Sequence, residues 1–480
     1  MFFLKIQFNE IIIVDSSNID HSKKIQIELL DSLVENTTYT FNFGQSIEDN
    51  NEGNRLPFFQ YTLSTGSVID SLEIKGRVTD AFNYETEPFI SLHLYPVDST
   101  HSDSTIFLKK PFYVTSTLDS VIYNFKNIRP DTYEIIAIKD EARNYLFDQN
   151  QDKIGFLERP ITLPQDSIVN FRIFKETPNL FWARPFFINK NQIGFGYYGE
   201  ADPSAIEVKS KVDRNFRYLI NKNREMDTLN FWFRGPDRDS LKVGIKEKDT
   251  TKQYTIKFGK VLRDSLVISP ITSQTMGLLD SFKIESNLPL VKIDLDLIKI
   301  KGLDSLPVSF KASLDKNYDR LSLFYEWLPN DDYKIELLPN ALVDFWGSTH
   351  DTLRFRAKTK PIEDYGEVIL QILREDQDPF ILELVDLDGE AIRRYDEPNE
   401  LDAFEFKFLP PGKYLFRYTR DNNGNKKWDT GSYLKKIQPE MVYYSKDTID
   451  LRANWEINQQ LRIPSEEPSF SAIDSLEILN

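Results

Sequence analysis

Hydrophobic and polar residues alternate along most of this chain, in short runs that turn residues separate. The run LRFRA at 353–357 alternates strictly, and LNFWF at 229–233 keeps an apolar residue at every second position. A period of two over short runs is typical of strands with one buried face, and helical periodicity is nowhere sustained over three turns. The pattern therefore predicts an all-β protein.

A three-residue signal precedes most of these runs: an aspartate, then serine or threonine, then an apolar residue. Aspartate and serine side chains bind nearby backbone groups and hold turns, and the apolar residue begins the next run. The signal predicts many short strands joined by tight turns. Its eight copies begin at Asp31, Asp70, Asp227, Asp239, Asp264, Asp304, Asp351 and Asp447.

Internal repeats divide the chain into units. Residues 127–140 align with residues 408–421, and each copy has a further aspartate eight residues on, at Asp148 and Asp429. Upstream of these copies, the stretches 39–53 and 333–347 share a tyrosine, an aspartate and a glycine. The predicted order is A1 (1–66), B1 (70–174), a middle β unit (178–270), A2 (286–358), B2 (363–463) and a polar tail (464–480).

Three of these units resemble two known domain families. Residues 36–66, with an Asp49…Gly53 turn and a closing LST at 63–65, resemble the bacterial Ig-like (SbsA-type) domains of surface proteins, which usually close on a Phe-x-Thr triplet. The B units resemble prealbumin-like or carboxypeptidase-regulatory-like sandwiches through GRV at 76–78, PDTY at 130–133 and PGKY at 411–414. Both resemblances imply tandem β-sandwich domains.

The whole arrangement is similar to the Ig-like-domain lipoproteins of Bacteroidota, over most of the chain and less clearly over 178–270. The resemblance implies a place in the cell envelope, at the outer membrane or cell surface, with an unknown protein partner there. Such proteins usually carry a signal peptide and a lipid-accepting cysteine. This sequence has no cysteine, and its apolar start at 2–14 contains Lys5 and Glu10 and is typical of a strand. We therefore expect the export signal to be missing from this sequence and A1 to be incomplete at its N-terminus.

Composition excludes several kinds of chemistry. Without cysteine there is no thiolate zinc site and no thiol nucleophile, and the four histidines are scattered singly. A net charge of −16 argues against nucleic acid and anionic membrane as partners. No apolar run approaches the ~20 residues of a transmembrane helix. Because the sequence supplies no recognisable nucleophile, base or cofactor loop, we expect a non-enzymatic protein without a cofactor.

The stretch DNNGNKKWDTG at 421–431 is the strongest candidate for a site. Asp421, Asn423, Asn425 and Asp429 stand at positions 1, 3, 5 and 9 of a calcium loop, where oxygen ligands alternate. Glycine stands at position 4 instead of 6, and Ser432 replaces the usual glutamate at position 12. The alternative is a turn in which these side chains cap backbone N–H groups. An aspartic-protease role for the Asp-Thr-Gly triplet is disfavoured, because its setting is polar and occurs once.

Two hypotheses for function follow. The first is a non-enzymatic rod of β-sandwiches that acts as a scaffold or binding protein at the cell surface. The second is a glycan-binding module whose tryptophans stack on sugar rings. Tryptophans on alternating strands are more often part of a sandwich core, where the large ring is buried. The six candidates are Trp182, Trp232, Trp327, Trp346, Trp428 and Trp455.

Overall fold

The computed structural model describes residues 33, 35–43, 54, 56, 59–235, 239–247, 250–304, 306–375, 377–396 and 403–464. The predicted strand at 2–14, the predicted turn at 49–53 and the tail after 464 lie outside these residues. The described chain is almost entirely strands and turns, with one short helix, α1 (Thr105–Leu108), and 3-10 turns at Pro203–Ala205, Leu295–Leu297 and Ile362–Asp364. The predicted all-β fold of tandem β-sandwiches is confirmed.

Unit A1 contributes two described strands, which pair antiparallel from Thr38 opposite Ser64 to Asn42 opposite Gln60. Two hydrogen bonds join this hairpin to B1. The Asp70 N–H donates to Thr38 Oγ1 (3.0 Å), and Thr62 Oγ1 donates to Asn127 Oδ1 (3.3 Å). The strands are β1 (Thr38–Asn42) and β2 (Gln60–Ser64).

Unit B1 contains eight strands: β3 (Leu72–Asp80), β4 (Ser91–Pro96), β5 (Tyr113–Ser116), β6 (Ile122–Ile128), β7 (Thr132–Lys139), β8 (Lys153–Phe156), β9 (Ile161–Thr162) and β10 (Phe171–Ile173). In one sheet β3 lies between β6, which is antiparallel to it, and β10, which is parallel. The other sheet has the order β5-β4-β7-β8, with β9 also on β7. The two inner faces enclose a core that includes Ile74, Leu92 and Phe125.

The middle unit also contains eight strands: β11 (Phe181–Trp182), β12 (Phe186–Asn189), β13 (Gln192–Tyr198), β14 (Ile206–Val208), β15 (Arg217–Lys222), β16 (Thr228–Arg234), β17 (Ser240–Glu247) and β18 (Thr250–Lys257). One sheet has the order β11-β13-β16-β15, with β12 also on β13, and the other has the order β14-β17-β18. Buried residues of both sheets, including Phe195, Phe231 and Val243, form one core.

Unit A2 contains nine strands: β19 (Ile268–Pro270), β20 (Phe282–Ser286), β21 (Leu290–Ile293), β22 (Ile298–Lys301), β23 (Lys311–Leu314), β24 (Arg320–Phe324), β25 (Asp332–Leu337), β26 (Leu342–Asp344) and β27 (Leu353–Lys358). They form the sheets β19-β20-β24-β23, β22-β25-β27 and β21-β26.

Strand β19, which falls at the end of the predicted middle unit, belongs to the same sheet as β20 and β24. Strand β19 pairs with β20, and Met276 and Leu278 lie in the same core as Phe282. The prediction began A2 at residue 286 because it was based on the stretch that aligns with A1. Strand β19 comes before that residue and pairs with β20 of A2 through backbone hydrogen bonds. In the division that we propose, A2 therefore begins before residue 268.

Unit B2 repeats the topology of B1 with eight strands: β28 (Gly366–Leu373), β29 (Phe380–Val385), β30 (Ala391–Tyr395), β31 (Ala403–Leu409), β32 (Gly412–Arg420), β33 (Val442–Tyr444), β34 (Ile449–Leu451) and β35 (Glu456–Arg462). Strand β28 lies between antiparallel β31 and parallel β35, as β3 lies between β6 and β10. The second sheet has the order β30-β29-β32-β33, with β34 also on β32.

The two B units also share local details at the aligned residues. Asn127 and Phe408 both have positive φ, at 59° and 55°. Six residues later, the Tyr133 hydroxyl donates to the carbonyl of Arg129 (3.1 Å), and the Tyr414 hydroxyl donates to that of Pro410 (2.7 Å). The same turn, closed by a tyrosine, therefore begins β7 and β32.

Several strands begin at the predicted aspartate turns. Strands β3, β16, β17, β27 and β34 start one or two residues after Asp70, Asp227, Asp239, Asp351 and Asp447. No helix in the described part of the chain is long and apolar enough to cross a membrane.

Candidate functional site

Asp421 organises the turn that follows β32. Its side chain is buried, and its carboxylate accepts two backbone hydrogen bonds, Oδ1 from the Asn425 N–H (3.0 Å) and Oδ2 from the Lys426 N–H (2.8 Å). A buried carboxylate without hydrogen-bond donors is costly, so these two bonds stabilise the turn. Asp421 thus has the role of a turn cap.

The other three predicted calcium ligands lie beside this turn. Asn423 Oδ1 accepts from the Asn425 N–H (2.9 Å), and Asn425 Oδ1 accepts from the Lys427 N–H (2.8 Å). Both asparagine amides donate to Asp429 Oδ2, with Asn425 Nδ2 at 2.8 Å. The structure therefore brings all four residues together: Asp421 and the two asparagine oxygens accept from backbone N–H groups, and Asp429 Oδ2 accepts from the two asparagine amides. Within the described ranges, no group of three or more His, Asp or Glu side chains is placed to hold a metal ion.

Glu440 closes the loop that Asp421 opens. Its Oε1 accepts from the Asn422 N–H (2.8 Å) and its Oε2 from the Asp429 N–H (3.0 Å). Burial raises the pKa of Glu440 above its ordinary value, and the nearby carboxylates of Asp429 and Asp421 add to the rise. This residue lies 11 positions after Asp429, so the spacing of the acidic residues in 421–431 did not point to it.

Unit B1 holds its equivalent loop in the same way. Asp140 accepts from the N–H groups of Asn144 (3.2 Å) and Tyr145 (2.7 Å), at the same sequence offsets as Asp421. Asp152 takes the role of Glu440, because its carboxylate accepts from the N–H groups of Glu141 (3.0 Å) and Asp148 (2.8 Å). The loop is therefore a repeated structural device, closed by a carboxylate at each end.

The calcium prediction is tested by thermal unfolding of the whole chain in chelator and in millimolar calcium. We expect the two wild-type curves to superimpose, because the oxygens of Asp421 and the two asparagines already bind N–H groups. The double variant Asp421→Asn with Asp429→Asn should lower stability by about 1–3 kcal/mol under both conditions, through lost caps. A calcium-dependent rise in melting temperature that the double variant lacks would instead establish a cation site.

The loops differ in length, and the extra residues in B2 form an interface. Residues 141–151 separate the two carboxylates in B1, whereas residues 422–439 separate them in B2. We call residues 430–439 the docking segment. Its centre is a tight hairpin, in which the Ser432 N–H donates to the Ile437 carbonyl (2.7 Å) and the Ile437 N–H donates to that of Ser432 (2.9 Å).

Tyr433, at the tip of the docking segment, is buried in B1. It is 0% exposed and packs in one hydrophobic cluster with Phe156 and Phe174. Its hydroxyl donates to Glu134 Oε1 (2.7 Å), and its backbone N–H donates to the Glu176 carboxylate. Burial raises the pKa of the Tyr433 hydroxyl, and the Glu134 carboxylate raises it further, so this hydroxyl remains a donor at neutral pH.

Further polar groups of the docking segment bind B1. Thr430 Oγ1 donates to the Lys175 carbonyl (2.6 Å), and Gln438 Nε2 donates to that of Phe156 (2.9 Å). Lys436 Nζ lies 2.9 Å from Asp103 Oδ1. The lysine and its partner are partly exposed, so we assign most of the interface stability to the buried groups.

Gly431 explains the glycine of the Asp-Thr-Gly triplet. A Cβ atom at this position would lie 2.5 Å from the Ile437 carbonyl oxygen and 2.6 Å from Cζ of Phe174. A side chain would therefore collide with the hairpin itself and with the surface of B1. The triplet serves the contact between the units through Thr430 and Gly431, while the Asp429 carboxylate faces two asparagine amides.

The contact is reciprocal, because B1 inserts Phe82 into B2. The Phe82 ring lies 4.9 Å from the Trp428 ring and 4.4 Å from the Arg417 guanidinium carbon. The Tyr444 hydroxyl donates to the Phe82 carbonyl (2.8 Å). Trp428 is in turn fixed by donation from its Nε1 to the Glu440 carbonyl (3.0 Å). Each B unit thus receives an aromatic side chain from the other.

A buried ion pair supports the site that receives Phe82. Arg417 Nε donates to Glu383 Oε2 (2.8 Å), and both side chains are 6% exposed. Burial alone would lower the pKa of Arg417, but its interactions with Glu383 and Tyr444 outweigh that effect, so the net shift is upward. Arg394 NH1 lies 3.3 Å from the other oxygen of Glu383. The guanidinium of Arg417 is therefore held in place over the Phe82 ring.

The reciprocal contact corrects the predicted rod. Units B1 and B2 are separated along the chain by the middle unit and A2, yet they share a hydrophobic cluster and several hydrogen bonds. In an extended rod, units so far apart would not touch. The repeats in the sequence show that the units are related, but they carry no information on which units meet.

Sequence reasoning missed the residues that make this contact, above all Tyr433, Phe82 and Glu134. A usable signal was the unequal length of the two aligned loops, since an insertion in one copy of a repeat marks a feature that the other copy lacks. The tryptophans do not line a common surface. Trp182 and Trp327 are buried in cores, Trp232, Trp346 and Trp428 lie where units meet, and only Trp455 is half exposed.

Fold and interface together define a tandem β-sandwich protein. No protein-family model and no curated protein matches the chain. Solved structures similar to it include BcpA, the major pilin subunit of Bacillus cereus, at 10% identity over 82% of this chain and 99% of that chain, with a TM-score of 0.15. Domains 4–9 of the surface layer protein SbsC match at 9% identity over 86% and 61%, with a TM-score of 0.19. Titin domains A168–A170 match at 10% identity over 51% and 94%, with a TM-score of 0.16. Identities and TM-scores this low support no statement on function.

Proposed function

We propose that this protein is a non-enzymatic scaffold and binding protein of the cell envelope, associated with the outer membrane or the cell surface. The observation that carries the proposal is the reciprocal docking of B1 and B2. It ties the first and last sandwiches of the described array to each other, through buried aromatic rings and satisfied polar groups. Such docking fixes the relative placement of the units, which is the property a scaffold needs to present a surface to a protein partner.

Three buried carboxylates of B2 have structural partners. Asp421 and Glu440 bind backbone N–H groups, and Glu383 binds Arg417. A serine-histidine pair does occur on β4, where Ser91 Oγ lies 2.9 Å from His93 Nε2. His93 is 0% exposed, so a substrate cannot reach its ring. Burial also lowers the pKa of His93 to about 3, so the ring is neutral. These observations favour a binding role over catalysis.

A glycan-binding role is the second candidate. The tryptophans do not favour it, because two of them are buried in cores and three lie where units meet. What favours it is a polar cleft between the middle unit and A2, lined by amides and hydroxyls. A binding scaffold and a glycan ligand are compatible, and the cleft is tested on its own below.

The envelope location is tested by surface labelling of intact cells that produce the protein. A membrane-impermeant amine reagent should biotinylate its exposed lysines before the cells are lysed, to the same extent as after lysis. A cytoplasmic marker protein serves as the control and should be labelled only after lysis. Labelling of this protein only after lysis would contradict the surface placement.

A further inference from the structure

A polar cleft lies where the middle unit meets A2. One wall is the β15–β16 hairpin, from Asn221 to Glu225, and the other is formed by Ser269 on β19 and Glu285 on β20. The volume of the cleft is about 420 Å³, which is in the range of pockets that hold small ligands. The site is therefore composite and needs both units in place.

Hydrogen bonds across the junction fix the shape of this cleft. Asn317 of A2 accepts from the Lys222 N–H through Oδ1 (3.0 Å) and donates to the Lys222 carbonyl through Nδ2 (2.8 Å), as a strand partner would. Arg224 Nε donates to both oxygens of Asp319, at 3.2 and 3.1 Å. Asn221 Nδ2 donates to the Asn317 carbonyl (2.9 Å). The two walls are thus connected by several bonds, which presets the site before a ligand binds.

An apolar contact lies beneath the cleft. The Trp232 ring meets the Trp346 ring of A2 edge to face at 5.8 Å, and Leu288 is buried beside it. Trp232 Nε1 donates to Asn221 Oδ1 (2.8 Å), which also orients that amide. Trp232 is 5% exposed, so its ring is not a stacking platform. A ligand here would be recognised by hydrogen bonds and by shape.

The lining indicates the chemistry of the ligand. Amide and hydroxyl side chains form part of it, at Asn221, Asn223, Asn230, Ser269, Ser286 and Asn287. Those of Asn221, Ser286 and Asn287 are already engaged in hydrogen bonds within the protein. Within the described residues, the groups left for a ligand are the Ser269 hydroxyl and the Nδ2 donors of Asn223 and Asn230, beside the carboxylate acceptors of Glu225 and Glu285. A ligand that complements them must likewise donate and accept at closely spaced atoms, as the hydroxyls of a sugar ring do.

The charges in the cleft argue against an ionic ligand. Two cations, Lys222 and Arg224, stand beside three anions, Glu225, Glu285 and Asp319. The charge of Arg224 is matched by Asp319, and Glu285 has Arg320 at 3.6 Å. No strong field of one sign remains, so an anion or a cation gains little from entering.

We propose that this cleft binds a neutral saccharide, in contact with both the middle unit and A2. The proposal goes beyond the scaffold role and does not rest on the docking of B1 and B2. A bound sugar would bridge the two walls and stabilise their junction. Removal of the sugar would leave the docking of B1 and B2 intact. The saccharide proposal and the scaffold proposal can therefore be refuted independently of each other.

The test uses the full chain and a panel of glucose, galactose, mannose, N-acetylglucosamine and their β1,4-linked disaccharides. Saturation-transfer NMR at millimolar sugar should show transfer to at least one of them, with a Kd of about 1 mM or lower. Absence of transfer to every member of this panel would overturn the proposal.

Variants then locate the site. Ser269→Trp should fill the cleft and abolish transfer, whereas Ser313→Trp should leave it unchanged, since Ser313 lies on β23 at the opposite edge of the same sheet. Glu225→Ala with Glu285→Ala removes two carboxylate acceptors without altering a backbone contact and should weaken binding about tenfold. If Ser269→Trp melts at a lower temperature than the wild type, its loss of binding no longer locates the site. The double variant Glu225→Ala with Glu285→Ala then decides whether the sugar binds in the cleft. Undiminished binding in both cleft variants would show that the sugar binds elsewhere.

Discussion

Replacing Tyr433 with alanine is expected to release B2 from B1 while both sandwiches stay folded. Tyr433 packs with residues of B1, and the B2 core, around Phe406 and Phe416, does not include it. Loss of a buried aromatic side chain costs about 3–5 kcal/mol. The variant also leaves the partly buried Glu134 carboxylate without the Tyr433 hydroxyl. The opened state should therefore be populated about a hundredfold to several thousandfold more than in the wild type.

Native-state hydrogen exchange measures this opening locally. Amides of residues 430–439, and those around Ile106 on the B1 side, should lose protection in Tyr433→Ala, while amides of β29 and β32 keep theirs. Tyr433→Phe keeps the ring and loses only one hydrogen bond to a charged group, so it should cost about 1.5–3 kcal/mol. Tyr318→Ala, at a tyrosine that is 40% exposed, is the matched control and should change little. Unchanged protection in Tyr433→Ala would mean that the docking segment does not hold the units together.

Replacing Arg417 with methionine is expected to destabilise B2 itself. The change leaves the Glu383 carboxylate buried without its main partner, a loss that typically costs about 3–5 kcal/mol. The remaining contact with Arg394 places the expected cost near the lower end, at about 3 kcal/mol. Arg417 also lies over the Phe82 ring, so the variant weakens the docking of B1 as well.

Denaturant unfolding of the full chain, followed by hydrogen exchange in β29 and β32, measures the effect. Arg354→Met is the matched control, because Arg354 pairs with Glu336 at the surface, where an ion pair contributes about 0–1 kcal/mol. Adding Glu383→Leu to Arg417→Met removes the orphaned charge and should recover most of the lost stability. An Arg417→Met variant no less stable than Arg354→Met would contradict the role assigned to the pair.

The alternation in the sequence predicted where strands form, but not which of their faces are covered. Strand β27 is exposed at every second residue, as the LRFRA pattern indicates. Strand β16 is buried at six consecutive residues, although LNFWF suggests one polar face. The face of β16 that carries Trp232 packs against Leu288 and Trp346 of A2. A second covered face depends on which unit lies beside the sheet, and local periodicity does not encode that.

In the candidate loop, too, the sequence predicted the local structure but not the contact with a distant part of the chain. Asp421, Asn423, Asn425 and Asp429 were found from their spacing, because turn chemistry is local, and the structure brings them together in one turn. The aligned Asp140 and Asp148 likewise predicted a related loop in B1. Tyr433 contacts Glu134, which lies nearly 300 residues away in the sequence. No residue pattern near either position predicts this contact. The contact depends on the arrangement of B1, the middle unit, A2 and B2. That arrangement is determined jointly by the junctions between successive units.

The central claim, that B1 and B2 are docked in the free protein, is tested most directly by a pair of spin labels. The chain has no cysteine, so Leu108→Cys with Leu434→Cys introduces the only two labelling sites. Both leucines are exposed, and their neighbours Phe107 and Tyr433 lie 6.2 Å apart between ring centroids. Electron paramagnetic resonance should show one short, narrow distance between the labels, which Tyr433→Ala broadens and lengthens. A broad distribution at long distances in the protein that retains Tyr433 would contradict the account.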